Sequence, residues 1–144
     1  MSGGLAPTGR VRLTPEQVVF VTERHLATLT TLRPDGTPHV VPVAFTWDDE
    51  QRVLRITTRV SSRKVRHVEA WLDRGLPARV AVCQVDGGRW LTFEGEAIVV
   101  RDAAEVAEAV RRYARRYRPL QHDDRRVVLR VAVDRVMGSD YMAR

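Results

Sequence analysis

The one lysine of the chain lies in a segment whose side chains could together hold a phosphate group. Lysine and arginine number 24 in all, and Lys64 is the only lysine among them. In a chain so rich in arginine, a retained lysine indicates a place that needs a compact point charge. Residues 57–64 also supply two threonines, two serines and two arginines, between a strand-like and a helix-like run. Hydroxyls, cations and helix N-terminal amides form a phosphate site, although an N-cap serine with solvated cations would give the same pattern.

The net charge favours an anionic partner. The 144 residues carry a formal net charge of +6, which fits nucleic acid, a phosphorylated cofactor or a carboxylate-rich substrate. With 44% hydrophobic and 29% charged residues, a folded and soluble protein is expected. No apolar run is long enough to span a bilayer, and the first residues lack the apolar segment of a secretory signal. A cytoplasmic protein is therefore expected.

Side chains for metal binding or nucleophilic catalysis are not grouped in the sequence. His25, His39, His67 and His122 do not have the spacing of metal ligands. Cys83 is the only cysteine, and its apolar strand-like surroundings predict a small, unreactive core residue. No Ser-His-Asp or Cys-His arrangement is present. We therefore predict neither a metal site nor a catalytic side chain.

Three short helices and six strands are predicted from periodicity and turn signals. Thr14 and Gln17 form a capping box around a proline at the first helical position. Ser61 or Ser62 begins the second helix, and Asp102 begins the third. The predicted helices cover about residues 15–24, 62–73 and 103–117. The predicted strands cover residues 25–32, 38–47, 53–57, 78–85, 90–100 and 127–136.

The turns between these strands favour an antiparallel barrel. Residues 33–37 contain a Pro-Asp-Gly turn that joins the first two strands as a hairpin, and Gly95 inside the fifth strand indicates a bulge or a bend. Many short strands joined by tight turns favour a closed barrel over an open sheet. We predict a mainly β, α+β fold built on a six-stranded antiparallel split barrel. Residues 1–12 would be a flexible tail and residues 13–144 a single domain.

The order of these elements and the residues within them resemble the pyridoxamine-phosphate-oxidase-like superfamily of split β-barrel flavoproteins. The resemblance extends over roughly residues 14–140. Within the superfamily the chain most resembles the branch that uses the deazaflavin coenzyme F-420, and in that branch the biliverdin reductases. The segments that carry the resemblance are residues 25–32, 34–36, 38–43, 56–58, 62–64, 84–91, 94–95, 126–128 and 133–139.

This resemblance implies a reductase whose cofactor performs the difficult chemical step. It implies hydride transfer from reduced F-420 to a small conjugated or anionic molecule, of which biliverdin is one candidate. It also implies a homodimer with two cofactor sites at the interface, each lined by both chains. FMN or haem would occupy the site in other members of the superfamily, and both stay open as alternatives.

The resemblance also implies three groups of cofactor-binding residues. The phosphate would lie where the third strand meets the second helix, held by charge-assisted hydrogen bonds from Ser62, Arg63 and Lys64. Thr57 and Thr58 would add hydroxyl or backbone contacts, and Pro42 and Val43 would flank the ring. Gln84 and Trp90 would come from the fourth and fifth strands, across the dimer interface. For the threonines, Pro42, Val43 and Trp90, ordinary strand, barrel or core packing is the competing interpretation.

Five arginines at or near helical spacing form what we call the arginine stripe: Arg111, Arg112, Arg115, Arg116 and Arg118. One interpretation is a solvated helix face, since cations near a helix C-terminus interact well with the macrodipole. Another is a field that attracts anions, such as an acidic coenzyme tail or substrate carboxylates. With Tyr113 and Tyr117 the stripe could also bind single-stranded nucleic acid. No RNA-binding signature or helix-turn-helix pattern supports that alternative, so nucleic acid is not an expected partner.

Overall fold

A seven-stranded antiparallel sheet with three helices forms the part of the chain that the computed structural model describes, residues 6–140 and 142. The helices are α1 (Pro15–Thr22), α2 (Arg63–Asp73) and α3 (Ala103–Arg116). The strands are β1 (Ala27–Leu32), β2 (Pro38–Val43), β3 (Thr46–Asp48), β4 (Val53–Arg59), β5 (Ala78–Asp86), β6 (Arg89–Val100) and β7 (Arg126–Gly138). This confirms the predicted mainly β, antiparallel fold with three short helices.

The prediction of six strands in a closed barrel is wrong in two respects. The run over residues 38–47 divides at Ala44 and Phe45, so that β2 pairs with β1 and β3 pairs with β4. The strand order is β2-β1-β5-β6-β7-β4-β3, and no ladder between the two edge strands closes the described sheet. Phe45 is fully buried against Phe93, with ring centroids 5.8 Å apart, and this anchors the corner. Because two residues link opposite edges, the sheet must coil until those edges approach each other.

The local signals read from the sequence are confirmed at the first helix and at the first hairpin. The amide of Gln17 donates to the Thr14 hydroxyl at 3.2 Å, and the amide of Thr14 donates to the Gln17 side chain at 2.9 Å. In the hairpin, the Arg33 amide donates to the Thr37 carbonyl at 2.8 Å. Gly36 has a φ of 87°, which glycine adopts without steric cost.

The first described residues lie against the edge of β4 and β7. The amide of Gly9 donates to the Gln51 carbonyl at 2.9 Å, and the amide of Arg10 donates to the Val133 carbonyl at 2.8 Å. The predicted tail over residues 1–12 falls partly outside the described residues, and the boundary at residue 13 stays a prediction. None of the described helices is long and apolar enough to cross a membrane.

Gly95→Ala is expected to destabilise the protein by about 1–3 kcal/mol through overpacking. The ladder between β6 and β7 shifts register at Gly95, which confirms the predicted bulge, and an added Cβ would lie 2.2 Å from the Ala132 carbonyl oxygen. Urea denaturation measures the loss. Gly88→Ala is the matched control, since its added Cβ meets nothing within 4 Å. Equal stability of the two variants would contradict this account of Gly95.

Candidate functional site

A cleft of about 320 Å³ opens where β2 and β4 end and α2 begins. The far side is formed by α3 and by the loop that follows it, residues 117–125. We call this space the main cleft. It is lined by Pro42, Val43, Ala44, Ile56, Thr57, Thr58, Arg59, Lys64, Tyr113, Leu120, Asp123 and Arg126. Five of the nine predicted cofactor residues are among them: Pro42, Val43, Thr57, Thr58 and Lys64.

The N-terminus of α2 faces this region without a side-chain cap. Ser62 is the N-cap residue, and its hydroxyl makes no capping hydrogen bond. Instead the Thr58 hydroxyl donates to the Ser62 oxygen at 3.2 Å. The amides of the first helical turn have no partner within the helix, and the first turn contains no acidic side chain. The local geometry is therefore that of an anion site at a helix N-terminus.

Lys64 supplies a positive charge beside these amides. The side chain is half-buried, and burial lowers the pKa of its ammonium group. Within the described residues it forms no ion pair and no side-chain hydrogen bond. A charge taken partly out of water without a partner costs free energy, and an anion placed in the cleft would recover that cost. Arg63, the first residue of α2, is exposed and does not line the cleft.

One carboxylate, Asp123, also lines the main cleft. Its oxygens accept from the amide of Arg125 at 2.9 Å and from the Nε atoms of Arg125 and Arg59, each at 3.2 Å. The hydrogen bonds from Arg125 lower the pKa of Asp123 to about 2. The cleft thus contains three cationic side chains, Lys64, Arg59 and Arg126, against one carboxylate whose charge is already compensated.

The rest of the cleft is suited to a flat apolar body. Val43 and Ile56 form a buried wall of the cleft on the side of the sheet. Tyr113 from α3 and Leu120 from the following loop form the opposite wall, and the ring centroids of Tyr113 and Tyr117 lie 5.0 Å apart. A cavity with apolar walls and a few polar groups at one end is the usual form of a cofactor site.

Gln84 and Trp90 are not brought to the main cleft. Gln84 is fully buried, and its amide nitrogen donates to the Phe20 carbonyl at 2.8 Å. Its oxygen accepts from Arg116 at 2.5 Å, so both ends of the amide are used inside the chain. Trp90 lies at the beginning of β6, half-buried, opposite Val85. Its contribution across a dimer interface stays a prediction.

Besides Ala44 and Ile56, five residues of the lining were not among the cofactor residues predicted from sequence, although the first of them lies in the predicted phosphate segment: Arg59, Tyr113, Leu120, Asp123 and Arg126. One signal for part of this set was available. Because β4 pairs with β7 antiparallel, the ends of the third and last predicted strands meet, and Arg59 lies opposite Arg126. The residues from α3 and its loop reach the cleft only through tertiary packing.

Most side chains of the arginine stripe form ion pairs or hydrogen bonds within the chain. Arg111 and Arg112 pair with Glu108 at 2.7 and 2.6 Å. Arg116 is half-buried and hydrogen-bonded to main-chain and side-chain oxygens. Among the described residues, only Arg115 and Arg118 of the stripe have no ion pair or side-chain hydrogen bond. A continuous basic face, as nucleic acid or a long acidic tail would require, is therefore not supported.

One group in the described part of the chain has the geometry to hold a metal ion: Glu23, His25 and Asp86. Arg89 already lies within it and donates two hydrogen bonds to Glu23, at 3.0 and 2.9 Å, and one to Asp86. The guanidinium thus supplies the positive charge that these carboxylates need. Cys83, predicted to lie in the core, is instead half-buried on the outward face of β5.

His67 fixes α2 to the hairpin one turn after the helix start. Its Nδ1 atom lies 2.9 Å from the Thr31 hydroxyl, and its ring packs edge-on against His39 with centroids 4.8 Å apart. Burial lowers the pKa of His67, and the positive charges of His39, Arg33 and Arg63 lower it further. Protonation of this ring would therefore disturb the contacts that hold α2, the helix that carries Lys64, against the hairpin.

Stability is expected to decrease as the pH falls below about 6.5, the ordinary histidine value. Since the folded pKa of His67 lies below the unfolded one, the unfolded state binds more protons in that window. The contribution of neutral His67 to the free energy of unfolding is fully present above about pH 6.5. It is lost as the pH falls towards the folded pKa, at no more than about 1.4 kcal/mol per pH unit. Urea denaturation between pH 7.5 and 5 measures the slope. The slope should shrink in His67→Gln and not in the exposed His122→Gln; equal slopes in both variants would reject this assignment.

This chain is similar to known proteins over most of its length. Residues 13–139 match the family described as pyridoxamine 5'-phosphate oxidase. An F420H(2)-dependent biliverdin reductase of Mycobacterium tuberculosis (strain CDC 1551 / Oshkosh) is 44% identical over 128 residues, which cover 89% of each chain.

Solved structures show the same fold. A protein named F420 Reductase superposes with a TM-score of 0.65 at 27% identity, covering 83% of this chain and 94% of its own. General Stress Protein 26 of Bacillus anthracis str. Sterne superposes with a TM-score of 0.66 at 22% identity, covering 87% and 92%. The second likeness bears on the fold alone.

Proposed function

This chain belongs to the pyridoxamine 5'-phosphate oxidase family, and we propose that it is an oxidoreductase that uses the deazaflavin coenzyme F-420. The observation that carries the proposal is the N-terminus of α2, which has no side-chain cap, beside the Lys64 side chain, which lines the main cleft and forms no ion pair with any described residue. This is an anion site next to a cavity with apolar walls. The 44% identity to an F420H(2)-dependent biliverdin reductase supports F-420 over FMN as the molecule that this site accepts.

The residues of the main cleft fit the phosphate of such a coenzyme. The amides of the first turn of α2 and the Ser62 hydroxyl supply hydrogen bonds to phosphate oxygens. Lys64 supplies a full positive charge from α2 itself, and Arg59 and Arg126 supply two further cations in the lining of the cleft. Burial removes part of the water that would otherwise solvate the Lys64 ammonium group. A bound phosphate would offset this loss by supplying a counter-charge, so that the phosphate and the half-buried ammonium stabilise each other.

The apolar half of the cleft would orient the ring. Pro42, Val43 and Ala44 lie on one side, and Tyr113 and Leu120 lie on the other. When bound, reduced F-420 supplies a hydride from carbon 5 of its ring. The task of this chain is to hold that ring and the substrate in register and to exclude water from one face. Correct placement of two reactants can lower the activation barrier of the uncatalysed reaction by about 7–11 kcal/mol. A catalytic side chain is therefore not required for a large rate enhancement.

The substrate that we propose is a small conjugated molecule of the biliverdin type. The name of the 44% identical relative supports this choice. The net charge of +6 and the cationic mouth of the main cleft favour a substrate that carries carboxylates. A cytoplasmic location stays a prediction from the sequence.

We further propose that the protein is a homodimer that completes each site at the interface. Four large apolar side chains are exposed on or beside the outer face of the sheet: Leu26, Val40, Val85 and Met137, with exposures of 62%, 58%, 59% and 47%. Side chains opposite each other on neighbouring strands share a face. One such cross-strand row runs from Met137 through β6, β5 and β1 to Pro42. A second copy bound on this face would therefore reach the rim of the main cleft.

Val85→Glu is expected to shift the protein from dimer to monomer at micromolar concentration, because it places a charge in an apolar interface. Size-exclusion chromatography with light scattering measures the mass. Val19→Glu is the matched control, since Val19 has the same exposure of 59% but lies on α1. A wild-type protein that runs as a monomer, or a dimer unchanged by Val85→Glu, would argue against this interface.

Fluorescence titration with F-420 and, separately, with FMN tests the cofactor. We expect micromolar or tighter binding of F-420 and weaker binding of FMN, followed by oxidation of reduced F-420 when biliverdin is added. Preference for FMN would overturn the choice of coenzyme. Tight F-420 binding without turnover of biliverdin would overturn the substrate only.

A further inference from the structure

A second cavity, of about 400 Å³, lies on the other side of α3. It opens to solvent between α1, β3 and α3, and we call it the α1–α3 cavity. Its lining shares no residue with that of the main cleft. Apolar walls come from Val18, Val21 and Trp47. The charged lining consists of three guanidiniums and three carboxylates: Arg112, Arg115, Arg116, Asp48, Asp49 and Glu50. One of these carboxylates, Asp48, is already paired with Arg55 and Arg112. The proposed function uses none of these residues.

Arg116 brings a half-buried positive charge with only neutral partners. Its guanidinium donates to the main-chain oxygens of Glu23 at 2.9 Å and Phe45 at 2.6 Å, and to the side-chain oxygen of Gln84 at 2.5 Å. Burial lowers its pKa. Among the described residues no carboxylate pairs with Arg116 or with the neighbouring Arg115. A desolvated cation without a counter-ion costs free energy, so an anion in this cavity would be stabilised.

Thr46 adds a buried hydrogen-bonding group without a partner. The residue is 7% exposed, it lines the α1–α3 cavity, and its hydroxyl has no hydrogen-bond partner in the described part of the chain. Buried polar groups are almost always paired. A ligand oxygen at this wall of the cavity would supply the missing partner.

Trp47 offers a rigid flat surface for the body of a ligand. Its indole stacks on Phe93 with centroids 5.7 Å apart and planes 29° apart, and its Nε1 donates to the Asp49 carboxylate at 2.9 Å. Two fixed contacts leave the ring little freedom, which lowers the entropy cost of packing a ligand against it. The exposed carboxylates of Asp49 and Glu50 at the rim disfavour a second negative charge on the ligand.

We propose that the α1–α3 cavity binds a small organic monocarboxylate with a flat apolar body. The carboxylate lies towards Arg115, Arg116 and the Thr46 hydroxyl, and the body packs against Trp47 and Val18. A cavity of this volume is within the ordinary range for small-molecule sites. The inference does not depend on the identity of the coenzyme, because it rests on different residues.

Titration with 3-phenylpropionate, followed by NMR chemical shifts, tests the proposal. The neutral isostere 3-phenylpropanamide and the dianion phenylsuccinate are the matched probes. We expect the monocarboxylate to bind at least about tenfold more tightly than the amide, and more tightly than the dianion. Arg115→Gln should weaken it about tenfold and Thr46→Val about fivefold. Arg115 is exposed and Thr46→Val preserves side-chain size, and circular dichroism verifies the fold of both variants. Equal affinity for acid and amide, or no binding at millimolar concentration, would overturn the proposal.

A cross-test separates this site from the coenzyme site. Lys64→Ala should leave 3-phenylpropionate binding unchanged, and Arg115→Gln should leave F-420 binding unchanged. Saturating F-420 should not compete with 3-phenylpropionate. Competition, or loss of the acid in Lys64→Ala, would assign the carboxylate to the main cleft and refute a separate site. Failure of F-420 to bind wild-type protein would refute the proposed function and leave this inference standing.

Discussion

Lys64→Ala is expected to weaken the binding of F-420 by about 10- to 100-fold, the value of one charge-assisted hydrogen bond. Among the described residues, Lys64 is the only cation of the main cleft with neither an ion pair nor a side-chain hydrogen bond, since Arg59 pairs with Asp123 and Arg126 donates to the Gln121 carbonyl. Removing it takes away the one cleft-lining cation that α2 itself carries, whereas Arg59 already contacts Asp123. Fluorescence titration of wild type and variant, at the same ionic strength, measures the loss.

Three controls distinguish a phosphate contact from a general charge effect. Arg24→Ala removes one exposed cation away from the cleft, and we expect less than about a twofold change, since exposed charges are well screened. Lys64→Met keeps most of the apolar stem and should lose as much affinity as Lys64→Ala. Inorganic phosphate should compete with F-420 in the wild type and not in either Lys64 variant. Similar losses in Lys64→Ala and Arg24→Ala would show that Lys64 has no special role.

The half of the main cleft predicted from sequence is the half encoded by neighbouring residues. Thr57, Thr58 and Lys64 follow one another along the end of β4 and the start of α2, so strand and capping signals suffice to place them. The wall formed by Tyr113 and Asp123 comes from α3 and its loop, about fifty residues later in the sequence. No local pattern states which helix face will cover which strand end.

The cofactor role that the resemblance implies for Gln84 stays a prediction, and the position of this side chain depends on tertiary contacts that no local pattern specifies. Its amide is enclosed between the Phe20 carbonyl and Arg116, and Arg116 reaches it only because α3 packs on this side of the sheet. The arginine stripe was ambiguous for the same reason, because the partners of Arg116 and one partner of Arg112, Asp48, lie far away in sequence. The barrel was predicted as closed because nothing in residues 38–47 marks Phe45 as a corner that turns into the core.

Asp48→Ala is expected to destabilise the protein by about 3–5 kcal/mol, the usual cost of leaving one member of a buried ion pair alone. Asp48 is 2% exposed and Arg55 is 3% exposed, and their oxygen and nitrogen atoms lie 2.8 Å apart. Burial raises the pKa of Asp48, but hydrogen bonds from Arg55 and the Gln51 amide, with the charge of Arg112, bring it below its usual value. Arg130, also buried, lies opposite Arg55 in the sheet. Urea denaturation at pH 7 measures the loss.

Two effects could cause this loss of stability: the missing attraction between Asp48 and Arg55, and the cost of leaving the Arg55 charge buried without its partner. Without Asp48, the buried Arg55 and Arg130 would share Glu105, at 3.8 and 3.4 Å. If the stranded charge dominates, replacing both partners in Asp48→Leu/Arg55→Met should recover most of the stability, because apolar replacements of buried pairs are often neutral. Asp49→Ala, at the exposed neighbouring carboxylate, should cost less than about 1 kcal/mol. A loss for Asp48→Ala as small as that for Asp49→Ala would mean that water reaches Arg55, and that this network does not brace α3 against β3 and β4.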